Sequence, residues 1–153
     1  MSTADGQIVG TSKVVDHGDN SLRYNIVILG DGYQAAELAK YRADVQSFID
    51  TFHATAPFAD LWCGINVHRV DVVSIESGAD DPVSCGDHSV GSGATARTYF
   101  DSTFCGGNLI RRLLTCNTAL AKNVAQSQVP EVHVTMVIKS GFKLQMNGMT
   151  IGK

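Results

Sequence analysis

The chain has 153 residues, of which 44% are hydrophobic and 18% charged, a composition typical of a globular domain and not of a disordered segment. The net charge of -3 argues against nucleic-acid binding, which needs a basic face, and no apolar run approaches the roughly 20 residues of a membrane span. The length favours one domain. Within it we expect a polar N-terminal segment with an edge strand (1–20), an α/β scaffold (21–138) and a divergent tail (139–153).

A strand, a glycine turn and a long helix form the clearest pattern in the chain. The apolar run 25–29 ends at Gly30-Asp31-Gly32, which is typical of a strand buried on both faces. Apolar residues then recur at spacings of three and four and predict a helix over about 35–52. Gln34 is a poor capping residue for that helix.

Two further strands are predicted in the first half of the chain. Residues 8–15 suit an edge strand that turns into the strand at 24–29. Residues 65–74 suit a second buried strand, in which Ile65 and Val67 share one face while Val70 and Val72 share the other.

The second half predicts a loop, a helix and another strand. Residues 75–97 form a long polar loop, and loops of that length are usually functional or mobile. A helical stripe runs from 109 to 124 with Asn108 as its N-cap, and 132–138 suits a third strand. The order β-α-β-loop-α-β predicts an α/β sandwich with a mixed sheet.

The tail predicts a small hairpin. Asn147-Gly148 is a favoured two-residue turn, with weak strands at 142–146 and 149–151. No covering element follows, so we expect the strand at 132–138 to present an open edge or apolar surface that supports self-association.

The four cysteines are Cys63, Cys85, Cys105 and Cys116. An even number allows two disulfides with three possible pairings. Paired cysteines indicate an extracytoplasmic protein, whereas the first ten residues lack the basic start and apolar stretch of a signal peptide. The sequence therefore leaves the localisation open.

The turn at 30–35 matches G-x-G-x-x-A between a strand and a helix, the arrangement that binds dinucleotides. Against this, Asp31 would place a carboxylate beside a bound diphosphate. The acid expected on the ribose about 20 residues later falls at Asp50, inside the predicted helix. A structural glycine turn is favoured, and nucleotide binding remains an alternative.

Cys85 and His88 have C-x-x-H spacing, which suits zinc, but the two further ligands would have to come from Cys105 and Cys116. A disulfide beside a loop histidine is the favoured interpretation. Asp87, His88 and Ser89 contain the residue types of a catalytic triad, yet adjacent positions cannot form one relay.

The remaining histidines predict structural roles. His17 lies in a turn and is expected to be exposed, while His53, His68 and His133 lie near apolar elements. None of the five histidines is followed by glutamate, so the zinc-binding motif His-Glu-x-x-His is absent from the 153 residues.

Several short motifs occur together in a specific order. They comprise residues 26–33 with Ala36-Glu37, 48–58, 66–70 with Glu76-Ser77-Gly78, and 99–105 with 111–114. In order and spacing, over about 22–138, they resemble the IgA peptidase family of zinc metallopeptidases. The resemblance implies an incomplete zincin-like metallopeptidase scaffold, a protein or peptide substrate, zinc as cofactor and an extracytoplasmic location.

In that family the third strand leads through a glycine-rich stretch to a helix with His-Glu-x-x-His, but this chain departs from the pattern after about Lys139. No catalytic, cofactor-binding or metal-binding residue is therefore assigned. We expect an N-terminal metallopeptidase part that is inactive alone, whether a truncated product, an altered reading frame or a gene fragment. The alternatives are a non-catalytic α/β binding or interaction module, or a nucleotide-binding protein using residues 30–35.

Overall fold

A computed structural model describes residues 5–139, 142–146 and 149–150, and it shows an α/β fold with a mixed sheet. Within these residues the sheet has six strands in the order β1-β3-β2-β4-β5-β6. The strands are β1 (Gly6–Val15), β2 (Tyr24–Asp31), β3 (Ile65–Ser74), β4 (Val132–Lys139), β5 (Phe142–Met146) and β6 (Met149–Thr150). The helices are α1 (Leu38–His53), α2 (Phe58–Leu61) and α3 (Thr118–Gln128). None of the described helices is long and apolar enough to cross a membrane.

The parallel centre of the sheet is built on β2. It pairs in parallel with β3 on one side and with β4 on the other, while β1 and β5 add antiparallel strands outside them. Successive side chains of a strand point to opposite faces. Ile26 and Ile28 accordingly pack in one core, and Val27 and Leu29 in a second. The predicted burial of this strand on both faces is confirmed.

Helix α1 covers the first of these cores. Its buried residues Tyr41, Val45, Ile49 and Phe52 recur at helical spacing and face the sheet. The predicted helix is confirmed, with a 3₁₀ turn over Ala35–Glu37 ahead of it and an ion pair of 2.8 Å between Lys40 and Asp44. The core residues of this face are Ile26, Ile28, Tyr33, Tyr41, Val45, Ile49, Phe52, Ile65, Val67, Met136 and Ile138.

Helix α3 covers the second core. Ala121, Val124 and Ala125 pack with the other face of β2, with Val70 and Val72 of β3, and with Tyr99 and Phe100 from the long loop. The predicted placement of Ile65 and Val67 on one face of β3 and of Val70 and Val72 on the other is therefore confirmed.

The start of α3 differs from the prediction. The helix begins at Thr118, where the Asn117 side chain accepts a hydrogen bond of 3.0 Å from the backbone N–H of Leu120. Asn108 caps nothing and has a positive φ of 55°. The apolar residues after it belong to the loop, where the N–H of Gly106 donates to the Leu113 carbonyl. A helical spacing of apolar residues was therefore misleading in this segment.

The strand predictions hold with two corrections. The bounds of β3 agree with the prediction, and β1, β4, β5 and β6 occur where strands were expected. The first strand, however, pairs with β3 and makes no hairpin with β2. The open edge expected on β4 is also absent over the last residues of that strand, because β5 pairs with Met136–Lys139. The Asn147-Gly148 turn lies outside the described residues.

The Tyr41 hydroxyl fastens α1 to the sheet and provides a test of this packing. Its oxygen lies 2.9 Å from the carbonyl oxygens of both Ile28 and Val70. Burial holds the pKa of Tyr41 well above its ordinary value, so the hydroxyl remains a donor. We expect Tyr41→Phe to lower the free energy of unfolding by about 1 kcal/mol in urea titrations, because one buried hydrogen bond is lost. Tyr24→Phe, at an exposed site, is the control. Equal stability of the two variants would contradict the assignment.

Candidate functional site

The carboxyl ends of the three parallel strands form the candidate functional site. β2 ends at Asp31, β3 at Ser74 and β4 at Lys139, and Asp31 and Lys139 are paired across the sheet. In open α/β sheets this edge is where ligands usually bind. The chemistry available there is decided by what these three side chains contact.

Asp31 is the polar centre of this edge. Its side chain is 0% exposed. The carboxylate accepts from the hydroxyls of Thr98 at 2.9 Å, Ser74 at 3.3 Å and Ser102. It also accepts from the backbone N–H groups of Phe100 at 3.0 Å and Ser102 at 3.2 Å. Five donors supply the hydrogen bonds that a buried carboxylate needs, so Asp31 fastens residues 98–102 to the end of β2.

Ser74 links the same segment to β3. Its hydroxyl oxygen accepts from the backbone N–H of Gly32 and from that of Tyr99, each at 3.1 Å. Its own hydroxyl donates to Asp31. The ends of β2 and β3 and the loop segment therefore share one buried hydrogen-bond network.

Close packing accounts for the glycines of the 30–35 turn. A Cβ on Gly30 would lie 2.9 Å from the Tyr41 ring, and one on Gly32 would lie 2.0 Å from the Gly78 carbonyl oxygen. Gly32 also has a φ of 67°, a conformation that glycine adopts without strain. Asp50 lies within α1 and accepts from Gln46. These contacts favour the structural turn and provide no support for nucleotide binding.

The loop after β3 closes over the start of the first helix. The Ser77 hydroxyl donates to Glu37 at 3.0 Å, and the Glu37 carboxylate also accepts from the backbone N–H of Gln34 at 2.9 Å. Glu76 accepts from the backbone N–H of Arg97 at 2.7 Å. The segments 30–37, 76–78 and 97–102, which are far apart in the sequence, therefore meet at one edge of the sheet.

Lys139 brings a positive charge to this edge. Its ammonium nitrogen lies 4.9 Å from the centre of the Phe104 ring, within the range of a cation–π contact. Burial lowers the pKa of Lys139, and the charge of Asp31 acts in the opposite direction.

A second cluster, which we call the arginine loop (residues 81–111), lies in the long connection between β3 and α3. The Arg111 guanidinium donates to Asp81 at 2.7 Å and to the Ser89 carbonyl at 2.8 Å. The backbone N–H of Arg111 donates to Asp87 at 2.7 Å and, with Ser89, lowers the pKa of Asp87 to about 2. Because this pKa is depressed, its stabilising contribution is present above the ordinary value and is lost as the pH falls towards about 2.

The residues that suggested chemistry in this loop have structural roles. Asp87 also accepts from the hydroxyl of Ser89, and His88 adopts a positive φ of 62° in the same turn. Cys85 forms a disulfide with Cys105, which removes the thiolate that a C-x-x-H zinc site would need. The favoured interpretation, a disulfide beside a loop histidine, is confirmed for this bond.

The other two cysteines are free thiols. Cys63 is exposed and Cys116 is half-buried, so one of the two possible disulfides is present. Burial, with a smaller effect of Asp31, raises the pKa of the Cys116 thiol to about 11, which keeps it protonated at neutral pH.

The histidines lie apart from one another or within hydrogen-bond networks. The expectation of an exposed His17 is wrong: it is half-buried, and its Nδ1 lies 2.7 Å from the Ile65 carbonyl oxygen. His53 stacks on Trp62 with ring centroids 4.6 Å apart. His68 is buried, while His133 is exposed and its ring contacts the ring of Tyr24, with the centroids 4.7 Å apart.

A metal site needs several ligating side chains that converge on one point. Among the described residues, no group of three or more His, Cys, Asp or Glu side chains is placed to hold a metal ion. The zinc implied by the resemblance therefore has no fitting ligand set in this part of the chain.

The fold and this edge define an α/β scaffold whose carboxyl edge is closed by its own loop. The profile of the family described as IgA Peptidase M64 matches residues 13–143, so the chain belongs to this family. Comparison with curated proteins finds no match.

The sequence did not predict the structural roles of two residues in this region, Asp31 and Arg111. For Asp31 the sequence predicts that its charge disfavours a bound diphosphate, but a carboxylate that directly follows residues 26–30 is also a signal for a buried hydrogen-bond centre. Arg111 was noticed only as part of a family motif, and its partners lie 22–30 residues away. Local periodicity carries no information about such contacts.

Replacing Asp31 tests whether the network holds the loop. In Asp31→Asn one accepting oxygen becomes an NH₂ donor that faces other donors, and we expect the free energy of unfolding to fall by about 3 kcal/mol. Hydrogen exchange should accelerate first in residues 98–102. The matched control is Asp50→Asn, on the exposed face of α1, which we expect to unfold like the wild type. Unchanged exchange in residues 98–102 would contradict the role of Asp31.

Removal of the disulfide tests the arginine loop. The Cys85–Cys105 bond joins residues 20 apart, and a loop of this size contributes about 3 kcal/mol to stability by the chain-entropy relation. We expect the double variant Cys85→Ser, Cys105→Ser to lose about that amount in denaturant titrations. Cys63→Ser, at an exposed free thiol, is the control. A double variant as stable as this control would show that the bond constrains nothing.

Proposed function

We propose that this chain is the supporting, non-catalytic part of a metallopeptidase domain and that it does not hydrolyse peptide bonds by itself. The main support is that groups of the chain itself already bond the polar side chain at the carboxyl edge of the sheet. Asp31 is buried and accepts five hydrogen bonds from its own chain, so it is not displayed towards a substrate or a metal. The 153 residues also contain no His-Glu-x-x-His motif, whose glutamate would activate a zinc-bound water.

The family relationship supports the assignment of this chain to a metallopeptidase domain. In a complete domain, zinc-activated water would hydrolyse peptide bonds of a protein or peptide substrate, as the resemblance implies. The present scaffold would contribute the sheet and the closed loop on which the zinc-binding helix rests. Two of the segments that resemble the family, 26–33 with Ala36-Glu37 and 76–78, contact each other at this edge.

We also propose an extracytoplasmic location. The Cys85–Cys105 disulfide is compatible with an oxidising compartment, where such bonds form and persist. The zinc-metallopeptidase relationship implied by the resemblance agrees with this location.

The proposal is tested by measuring zinc and peptidase activity on the same preparation. The chain is purified without metal-affinity steps, incubated with excess zinc chloride and desalted. We expect near-zero zinc per chain by elemental analysis, no hydrolysis of a fluorogenic casein, and the same melting temperature with and without a chelator. A zinc-loaded metallopeptidase serves as the positive control of the assay.

Stoichiometric zinc, or hydrolysis that a chelator abolishes, would contradict the proposal. In either case His88→Gln and His68→Gln would be compared, since these two histidines lie in the arginine loop and in the sheet respectively. Loss of zinc in one variant alone would identify the site.

A further inference from the structure

The amino ends of the parallel strands hold a second buried polar network, at the opposite edge of the sheet from Asp31. Asn25 of β2 and Asn66 of β3 are both 0% exposed, and the Asn66 amide donates to the Asn25 side-chain oxygen at 3.2 Å. The Asn25 amide donates to the carbonyls of Asn20 at 2.7 Å and Arg23 at 3.1 Å. Asn66 donates to the Gly18 carbonyl at 3.0 Å. The two asparagines thus hold the connection between β1 and β2 against the sheet.

Two histidines contact Asn25, and in each contact the partner atom shows whether the ring nitrogen carries a hydrogen. The backbone N–H of Asn25 donates to Nδ1 of His133 at 3.1 Å, so this nitrogen carries no hydrogen. Nε2 of His68 lies 3.4 Å from the side-chain oxygen of Asn25, and this nitrogen carries the hydrogen because the oxygen can only accept. The His133 contact requires a ring without a hydrogen on Nδ1, which only a neutral imidazole provides, whereas the His68 contact is available to one neutral tautomer and to the cation.

His17 secures the connection from its other side. Its backbone N–H donates to the Asn66 side-chain oxygen at 2.8 Å, and its Nδ1 lies 2.7 Å from the Ile65 carbonyl oxygen. Because a carbonyl only accepts, Nδ1 of His17 carries a hydrogen, a state shared by one neutral tautomer and the cation. This contact therefore tolerates protonation.

Protonation affects the other two histidines differently. The cationic ring of His133 carries a hydrogen on Nδ1, which then faces the N–H of Asn25, so the bond is lost. His68 is 5% exposed, and its cation would be buried beside the sheet. Burial lowers the pKa of His68. The stability that depends on neutral His68 is therefore present above its ordinary value of about 6.5 and is lost as the pH falls below it.

The Asn25–Asn66 network is surrounded by charged side chains from β1, from the β1–β2 connection and from the residue before β4. Lys13 of β1 is the register partner of His68 and further lowers its pKa, while Asp16 and Glu131 act in the opposite direction. Lys13 and Asp16 form an ion pair of 2.8 Å, and the Arg23 guanidinium donates to the His17 carbonyl. Ordinary carboxyl groups titrate near pH 4, below the range in which histidines change charge.

From this geometry we propose that His68 and His133, acting through Asn25, make the attachment of the β1–β2 connection acid-sensitive. Neutral imidazoles hold residues 16–25 against the amino ends of β2, β3 and β4. Protonation releases them. This acid-sensitive attachment is independent of the proposed function.

Amide hydrogen exchange of the full chain at pH 7.5 and pH 5.5 tests the proposal. After correction for intrinsic exchange, we expect opening at residues 16–25 to become about fivefold more frequent at pH 5.5, the effect of losing one net hydrogen bond. Amides of α1 should show no such change. Equal protection of residues 16–25 at the two pH values in the wild type would overturn the proposal.

Matched variants identify the groups that respond. His133→Asn keeps an accepting oxygen near the position of Nδ1, His68→Gln keeps an N–H donor near Nε2, and neither replacement titrates. We expect the double variant to keep the protection seen at pH 7.5 and to lose its acid response. His53→Gln, at an exposed histidine stacked on Trp62, should retain the wild-type response.

An undiminished acid response in the double variant would contradict the assignment to these two residues. If the double variant does not fold, the single variant His133→Asn, at an exposed site on β4, decides between the outcomes. Its response at the Asn25 amide should be smaller than that of the wild type, and an identical response would overturn the role of His133.

Discussion

The buried carboxylate of Asp31 is the constraint on which the carboxyl edge of the sheet depends. Residues 75–117, all described by the structure, contain isolated β-bridges but no helix or longer strand. Such a segment cannot satisfy its backbone groups by regular structure, so it needs fixed partners. Asp31 provides acceptors for residues 98–102, and the arginine loop with its disulfide holds the remainder. The Asp31 side chain therefore has a structural role.

The two ends of the parallel strands are built from different chemistry. At the carboxyl end the side chain of Asp31 accepts hydrogen bonds from hydroxyls and backbone N–H groups. At the amino end, asparagine amides and neutral imidazoles share hydrogen bonds, as at Asn25 and His68. Histidine changes charge near neutral pH whereas an ordinary carboxyl group does so near pH 4. The acid response proposed above is therefore placed at the amino end, where the histidines lie.

The sequence predicted the elements whose signal is local. The bounds of β3 and the two buried faces of β2 followed from apolar runs, and α1 followed from its helical stripe. The prediction failed where apolar residues serve a loop, as at Leu109, which is 66% exposed. It also failed for Asp31, whose partners lie 43–71 residues away, because only the folded topology brings them together.

The chain belongs to the IgA Peptidase M64 family, and Asp31 at the carboxyl edge of its sheet is hydrogen-bonded by its own loop. The central proposal is that this edge binds no zinc. The most direct measurement is anomalous X-ray diffraction at the zinc absorption edge from crystals grown with zinc. We predict no stoichiometric anomalous peak at the carboxyl edge, with Asp31 bonded to Thr98 and Ser102. A strong peak there, coordinated by side chains of this chain, would contradict the account.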